Sequence, residues 1–428
     1  MALRTLFKKN LFWRAFYFGT NVLLTIVLAR SLSAENIGSL YFDIALISLF
    51  IQVAGFSLES GIGYYSAGNK LNQYLLAAIG VIWTIIISSL ALLFFGWDTI
   101  ASLSATRDGI DTHLLVSFVS GNLLYNYFSS MYYGKLNFET PNVVGAIVQL
   151  LLFLFILAGL LGYKPWQQQD IIVSAFFYSF LIKGVLLAFS YLAFSKRLKS
   201  SVQISPADIR HLFKYSLIAW IANTVTFLLY RLDYYFVERF CENVALGNYT
   251  QVTRITQLLL VIPGIVATVV FPLSSSSNDS KLMGQKVSQA ALLLFYLNIF
   301  ICLFICMTGY WLFPYVFGND FALMYSLFLL LMPGVILYSC IFPLTAHFAG
   351  QNQIRHNVIG AFIGLCILTT LDVLFVPKGG VYAAAIINSI AYSASAMYTL
   401  HIFKKQNKNL FIDLFRFPLR QLRITLRN

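Results

Sequence analysis

Charged side chains inside apolar runs are the residues of this chain whose types and places could do chemistry. In "LLYRLDYYFVERF", residues 228–240, Arg231 and Asp233 lie among leucines, tyrosines and phenylalanines. A charge at the centre of a bilayer costs about 2.5 kcal/mol or more, so such side chains tend to face a watery cavity or a partner. A guanidinium group binds anions, and a buried carboxyl group binds a cation or a proton. The stretch therefore predicts binding chemistry inside a membrane.

Similar charges recur in other apolar runs. At 1.5 Å of rise per residue, Arg254 lies about 15 Å into its run, and Lys183 also lies near mid-membrane. Asp233 and Asp43 lie about 8 and 9 Å from the ends of theirs. The candidates for contact with an anionic substrate are Arg254, Arg231, Lys183 and Arg30, and the candidate cavity acids or ion-coupling groups are Asp233, Asp43 and Glu59.

Each candidate also has a purely structural interpretation. Lys183 has a long stem that can snorkel, and Asp43 could serve hydrogen-bonded packing. Several charges lie close enough to run ends to reach headgroups, namely Arg14, Arg30, Glu59, Lys214 and Asp372. Arg231 and Asp233 are about 200° apart around a helix, so they cannot both point into one cavity. Asp233 either faces that cavity or forms an ion pair with Arg254 or Arg231 that fixes packing.

The elements that position these residues are predicted to be transmembrane helices. The chain is 59% hydrophobic and 11% charged, whereas soluble proteins carry about 25% charged residues. Its apolar runs are about 20 residues long, the length of a membrane-spanning helix, and lack the alternation of barrel strands. Twelve spans are predicted, at 11–31, 37–58, 73–96, 112–133, 141–162, 170–195, 212–238, 244–272, 286–313, 321–347, 354–376 and 380–403.

The distribution of Lys and Arg predicts the orientation. With both termini in the cytoplasm, the inner segments hold 19 of these residues and the outer loops hold 4. The net charge of +13 then marks the cytoplasmic membrane face and requires no nucleic acid. We predict an all-α membrane protein with two six-helix lobes around a central cavity. The lobes would be residues 1–195 and 212–403, joined by a cytoplasmic linker, 196–211, and followed by a basic amphipathic tail, 404–428.

Proline–glycine pairs and an internal repeat suggest how such lobes could move. Pro263–Gly264 and Pro333–Gly334 free backbone groups within spans and are candidate hinges, although such kinks are common in membrane bundles. A shift of 209 residues aligns Gly38 with Gly247, which weakly supports two parallel halves. The cysteines have no metal-ligand spacing, and we see no nucleotide motif or nucleophile–base pair. We therefore expect neither an enzyme nor a bound metal or cofactor.

Three ordered blocks of the sequence resemble polysaccharide flippases of the Wzx type, in the MOP superfamily. Residues 29–46, "ARSLSAENIGSLYFDIAL", resemble the junction of that family's first two spans. Residues 231–275, from "RLDYYFVERF" to "VVFPLSS", are similar to its spans 7 and 8, and residues 348–392 to its C-terminal block. Asp233 and Arg254 fall at matching motif positions. Asp372 replaces a usual asparagine, and Glu59 stands where the family often has aspartate or glycine.

The resemblance implies a flippase for an undecaprenyl-pyrophosphate-linked oligosaccharide. It would carry this lipid from the inner to the outer leaflet of the cytoplasmic membrane by alternating access through a cationic cavity. Coupling to H⁺ or Na⁺ is expected, with polysaccharide polymerase or assembly proteins as possible partners. Tyr230, Tyr234 and Tyr235 could stack on sugars or form an interfacial belt. The alternatives are a multidrug or organic-cation extruder, whose cavity should favour acids, and an oligosaccharide polymerase or ligase, which usually has a large outer loop.

Overall fold

The computed structural model of this chain describes residues 2–67, 71–95, 111–163, 168–195, 206–276 and 280–407. Within these ranges the backbone is helical almost throughout, and no strand forms. The elements in chain order are α1 (Ala2–Ser31), α2 (Ala34–Ala54), α3 (Leu58–Ser66), α4 (Gln73–Phe95), α5 (Thr112–Gly134), α6 (Glu139–Leu160), α7 (Gln169–Ser195), α8 (Pro206–Phe240), α9 (Asn243–Leu259), α10 (Val261–Ser276), α11 (Ser280–Phe317), a 3-10 turn (Asn319–Phe321), α12 (Leu323–Gly350) and α13 (Arg355–Gln406). The predicted all-α fold is confirmed.

The helices are long and apolar enough for a multi-pass membrane protein. In the described part of the chain, 10 helical stretches could cross a membrane by length and composition. One of them, α13, has 52 residues and breaks at Gly380, where φ is 59° and ψ is −151°, so it holds the two last predicted spans. Helix α5 is not among these ten stretches, but its 23 residues have the length of the predicted fourth span. A membrane fold with ten to twelve spans is therefore confirmed.

Several elements differ from the predicted spans. The nine-residue helix α3 was not predicted, and it follows a turn in which Phe56 and Ser57 have φ of 57° and 45°. The predicted span 244–272 is two helices that meet at Leu260, just before Pro263. Helix α8 has 35 residues, about 52 Å at 1.5 Å each, and exceeds the roughly 30 Å hydrocarbon core.

The chain forms two compact units whose boundary lies inside α8. One unit contains residues 1–33 and 39–224, and the other contains residues 34–38 and 225–428. We call them the first and the second unit. The predicted division placed the boundary in a linker at 196–211, whereas in the structure the first half of α8 belongs to the first unit. Residues 196–205 of that linker and 408–428 of the predicted tail lie outside the described residues.

Contacts with the end of α2 explain why the first half of α8 belongs to the first unit. The last carbonyl groups of a helix lack partners within it. The Trp220 indole N–H of α8 donates to two such carbonyls, those of Gln52 at 3.0 Å and Val53 at 3.1 Å. Asn223 donates to the Ser57 hydroxyl at 3.2 Å. These bonds satisfy the end of α2 where the chain turns into α3.

In the second unit, the first turns of α2 and α9 cross at two glycines. A Cβ on Gly38 would lie 2.7 Å from the Gly247 nitrogen and 2.8 Å from the Asn243 oxygen. A Cβ on Gly247 would lie 1.9 Å from the carbonyl oxygen of Ala34. The contact is reciprocal, because the same shift of 209 residues maps Gly38 onto Gly247 and Ala34 onto Asn243. Only glycine allows the two backbones to approach this closely.

Candidate functional site

Asp233 of α8 lies at the centre of a buried polar cluster in the second unit. Its side chain has 0% exposure. One carboxylate oxygen accepts the Tyr249 hydroxyl of α9 and the Asn388 amide of α13, the latter at 2.8 Å. The other accepts the backbone N–H of Tyr234 at 3.0 Å. All of these donors are neutral, and the charge of Arg231 also acts on the Asp233 carboxylate electrostatically. A cavity-facing role and a packing role for Asp233 both stay predictions.

Asp372 of α13 is a second buried carboxyl group beside this cluster. It also has 0% exposure, and neither of its oxygens has a hydrogen-bond partner in the described part of the chain. It lies close enough to Asp233 and Tyr249 to interact with both electrostatically. Two buried carboxylates that interact repel each other, so a proton or a cation on one of them would lower the cost of burying both.

The placement of Asp372 corrects the sequence-based expectation that it would reach headgroups. That expectation used distance along the helix, and Asp372 is only a few residues from the end of its predicted span. The structure buries it among the helices of the second unit. A charged residue inside an apolar run was the signal that could have identified it.

Arg231 points away from Asp233 into a separate set of hydrogen bonds. Its guanidinium donates to the Tyr234 hydroxyl and to the Gln257 side-chain oxygen of α9, the latter at 2.8 Å. The guanidinium carbon also lies 5.0 Å from the centre of the Tyr234 ring. Arg231 is half-buried, as expected for a cation at the edge of a polar cluster. Because both partners are neutral, these hydrogen bonds do not compensate the positive charge of Arg231.

Arg254 of α9 lies near this set. It is half-buried and is an electrostatic neighbour of the Tyr234 hydroxyl. The structure therefore brings three predicted site residues, Arg231, Asp233 and Arg254, to one region of the second unit. Two guanidinium groups beside a carboxyl cluster can bind an anion and a monovalent cation in close proximity.

The predicted tyrosines have different environments. Tyr234 is 2% exposed and belongs to the buried cluster, so it is not part of an interfacial belt. Tyr230 packs edge-on against Tyr338 and Tyr392, with ring centres 5.9 and 5.8 Å away. Those two rings stack on each other at 4.7 Å. This aromatic group connects α8 to α12 and α13 and fixes the helices that carry the cluster.

The remaining predicted charges belong to the first unit. Lys183 of α7 is 5% exposed, and its ammonium lies 3.7 Å from the Phe180 ring centre and 5.1 Å from that of Tyr125. We find no hydrogen-bond partner for it among the described residues. Asp43 of α2 is buried, Arg30 at the end of α1 is exposed, and Glu59 on α3 is half-buried.

The two proline–glycine pairs differ in structure. At Pro263–Gly264 the helical axis is interrupted, because α9 ends at Leu259 and α10 begins at Val261. At Pro333–Gly334 helix α12 continues, and the Gly334 N–H donates to the Ser389 hydroxyl at 2.8 Å. A Cβ on Gly334 would lie 2.5 Å from the Ser389 Cα. Gly334 therefore serves close helix packing, and a hinge role for either pair stays a prediction.

Sequence reasoning missed the neutral members of the cluster, which are Tyr249, Thr253, Gln257 and Asn388. Such residues carry no charge that would mark them in an apolar run. A search of the described residues for groups of at least three His, Cys, Asp or Glu side chains able to hold a metal ion finds none. The cluster instead offers oxygen atoms from carboxyl, amide and phenol groups, which suit a proton or a hard monovalent cation.

Comparison with known proteins identifies the family. A sequence profile described as "Polysaccharide biosynthesis protein" matches residues 10–278, well over half of the chain. The chain belongs to the polysaccharide biosynthesis protein family. The predicted resemblance is confirmed at this level. Among curated proteins, none matches this family member significantly.

Solved structures show that this polysaccharide biosynthesis protein has the fold of MOP superfamily transporters. The lipid II flippase MurJ in an inward-closed conformation has a TM-score of 0.69 and 16% identity over 95% of this chain and 92% of that one. A MOP transporter from Pyrococcus furiosus is described as having a binding pocket of reverse polarity. Its TM-score is 0.65, with 16% sequence identity over 95% of both chains. An inward-facing multidrug MATE transporter has a TM-score of 0.65 and 14% sequence identity, over 95% of this chain and 96% of that one. At sequence identities this low, the structural similarity shows a shared fold and nothing more.

Proposed function

We propose that this protein flips an undecaprenyl-pyrophosphate-linked oligosaccharide from the inner to the outer leaflet of the cytoplasmic membrane by alternating access. The family match is the observation that carries the proposal, since it places the chain in polysaccharide biosynthesis. The fold it shares with a lipid II flippase supports a lipid-linked substrate. Moving the polar head of such a lipid across the bilayer is transport, and it requires no bond to be made or broken in the substrate.

The charges of the second unit suit a pyrophosphate group. A pyrophosphate carries at least two negative charges, and guanidinium groups bind phosphate oxygens in a bidentate geometry. Arg231 and Arg254 are both half-buried, so each can present donors without being fully desolvated. An inside-negative membrane potential also favours outward movement of an anion, by about 2.3 kcal/mol per charge per 100 mV.

Substitution of Arg254 tests this function. In a strain that lacks its own flippase, Arg254→Ala should abolish surface polysaccharide while the protein still reaches the membrane, because the pyrophosphate loses a cationic ligand. Lys286→Ala, which removes an exposed cation of α11, is the matched control and should leave surface polysaccharide unchanged. Normal polysaccharide in the Arg254 variant would contradict the cationic site. An organic-cation extruder would instead show a change in drug resistance and no change in polysaccharide.

The proposed coupling ion, H⁺ or Na⁺, binds between Asp233 and Asp372. Asp372 supports this assignment, since a buried carboxyl group without a hydrogen-bond partner needs a proton or a cation to offset its desolvation. The Tyr249 hydroxyl, which lies at the Asp233 carboxylate, would contribute a further oxygen atom. The membrane gradient of that ion would then supply free energy for the return of the empty transporter or for the loaded step.

Two asparagine variants separate coupling from folding. Asp372→Asn removes the charge and breaks no hydrogen bond of the described structure, so we expect a normal melting temperature and loss of the ion dependence of flipping. Asp233→Asn replaces one of two carboxylate oxygens that together accept three hydrogen bonds, so we expect a loss of about 1–3 kcal/mol of stability as well. Unchanged ion dependence in the Asp372 variant would contradict the coupling site and leave the flippase assignment standing.

A further inference from the structure

Tyr234 has hydrogen bonds to both Asp233 and Arg231. Its backbone N–H donates to an Asp233 carboxylate oxygen at 3.0 Å. Its hydroxyl accepts a hydrogen bond from the Arg231 guanidinium, and its ring lies 5.0 Å from the guanidinium carbon. The acid and the arginine therefore face different sides of α8, yet both act on the same tyrosine.

A second chain of contacts leads from Asp233 back to the Tyr234 hydroxyl through α9. The Tyr249 hydroxyl donates to Asp233, and the Tyr249 carbonyl accepts the Thr253 hydroxyl at 2.9 Å. The Thr253 hydroxyl also pairs with that of Tyr234. The two tyrosine rings meet edge to face at 5.9 Å. Together these contacts form a closed ring of four residues, Asp233, Tyr234, Thr253 and Tyr249.

The ring is almost inaccessible to water. Its four members are 0–4% exposed, so a change in the charge of Asp233 is poorly screened. Other charged groups that act on the ring are Asp372 on α13, Arg231 on α8 and Arg254 on α9. Arg231 donates one hydrogen bond to the Tyr234 hydroxyl and a second to the Gln257 side-chain oxygen. A shift of Tyr234 would therefore change the orientation of the Arg231 guanidinium, while the bond to Gln257 still holds it.

We propose that Tyr234 couples the cation site at Asp233 to the anion-binding guanidinium of Arg231. This inference rests on the proposed function. A proton or Na⁺ on Asp233 weakens it as an acceptor for the Tyr234 N–H and the Tyr249 hydroxyl. Both tyrosines then shift, and the hydroxyl that orients Arg231 moves with them. By linkage, the cation and the anion change each other's affinity by the same factor.

The experiment measures this factor with inorganic pyrophosphate as the probe. The affinity of the purified full-length protein for pyrophosphate is determined by calorimetry, with and without Na⁺ and across a series of pH values. The unmodified protein should change its affinity by about fivefold or more when the cation is added. Tyr234→Phe keeps the ring and removes the hydroxyl. Arg231 is then still held by Gln257, so pyrophosphate should still bind while the cation effect disappears.

A matched control and a second variant test whether the loss of the cation effect is specific to the Tyr234 hydroxyl. Tyr296→Phe makes the same change at a 44% exposed position of α11 and should retain the full cation effect. Thr253→Val removes the other partner of the Tyr234 hydroxyl, so it should also reduce the effect, and it replaces the first variant if that one fails to fold.

Two outcomes would overturn the inference. A full cation effect in Tyr234→Phe, or in Thr253→Val, shows that coupling does not pass through the ring. The absence of any cation effect in the unmodified protein removes the coupling itself, and with it the ion-driven part of the proposed function. Surface polysaccharide in the complemented strain distinguishes that second outcome from failure of the flippase assignment.

Discussion

Replacement of Gly247 by alanine tests the closest backbone approach in the second unit. The new Cβ would lie 1.9 Å from the Ala34 carbonyl oxygen, whereas ordinary van der Waals contact begins at 3.4 Å. The first turns of α2 and α9 must therefore separate by about 1.5 Å. Both colliding groups belong to backbones, so no side-chain rotation relieves the clash.

The magnitude follows from two opposing effects. Forcing an extra carbon into a well-packed site typically costs about 1–3 kcal/mol. Alanine in place of glycine favours a helix by about 1 kcal/mol, so the net loss at Gly247 is about 2 kcal/mol at most. Gly264→Ala is the matched control, because its Cβ would have only one neighbour, 3.9 Å away. That variant should be as stable as the unmodified protein or slightly more stable.

Thermal unfolding of the purified protein in detergent, followed by tryptophan fluorescence, measures the difference. We expect Gly247→Ala to melt lowest, Gly38→Ala to be intermediate, since its nearest contact is 2.7 Å, and Gly264→Ala to melt highest. This order depends on the contact distances alone, because all three variants share the same change in helix propensity. If Gly247→Ala melts at or above Gly264→Ala, the close crossing of α2 and α9 does not exist in the folded protein.

Two further predictions concern the first unit. Lys183→Met should keep or raise the melting temperature, because contact with the Phe180 ring contributes about 2 kcal/mol at most and burying a cation costs several. Loss of surface polysaccharide in that variant would assign the charge to transport, whereas a lower melting temperature would make Lys183 a packing residue. Trp220→Phe should destabilise the protein by about 1–3 kcal/mol, because it leaves the carbonyls of Gln52 and Val53 without their indole donor. An unchanged melting temperature would show that water replaces it.

Apolar length explains why the sequence predicts the helices so well. A bilayer imposes one length on every span, so runs of about 20 apolar residues locate the helices without knowledge of their packing. Helix α3 has nine residues, below that length, and Phe56 and Ser57 before it adopt a left-handed turn without glycine. The turn before it is bonded to α8, through Asn223 and the Ser57 hydroxyl, and a pattern of apolar residues does not show such a contact.

Only the charged residues of the site could be predicted from the sequence. Arg231, Asp233 and Arg254 were identified because lipid excludes charges, and the structure groups them. Position along a helix, however, says nothing about what packs beside it, which is why Asp372 was expected at the headgroups and is instead fully buried. The donors around Asp233 carry no charge, and one of them, Asn388, is 155 residues away along the chain, so only the folded structure reveals them.

The crossing of Gly38 and Gly247 also bears on the origin of the chain. Two identical six-helix proteins that paired about a two-fold axis would make this contact, since each glycine meets the residue equivalent to the other's partner. A gene duplication followed by fusion would preserve it within one polypeptide. The Asn243 amide now donates to Glu35 at 3.1 Å, but the equivalent positions hold Ala34 and Val244, which cannot form that bond. The starts of α2 and α9 thus share a backbone contact, whereas their side chains at these equivalent positions differ.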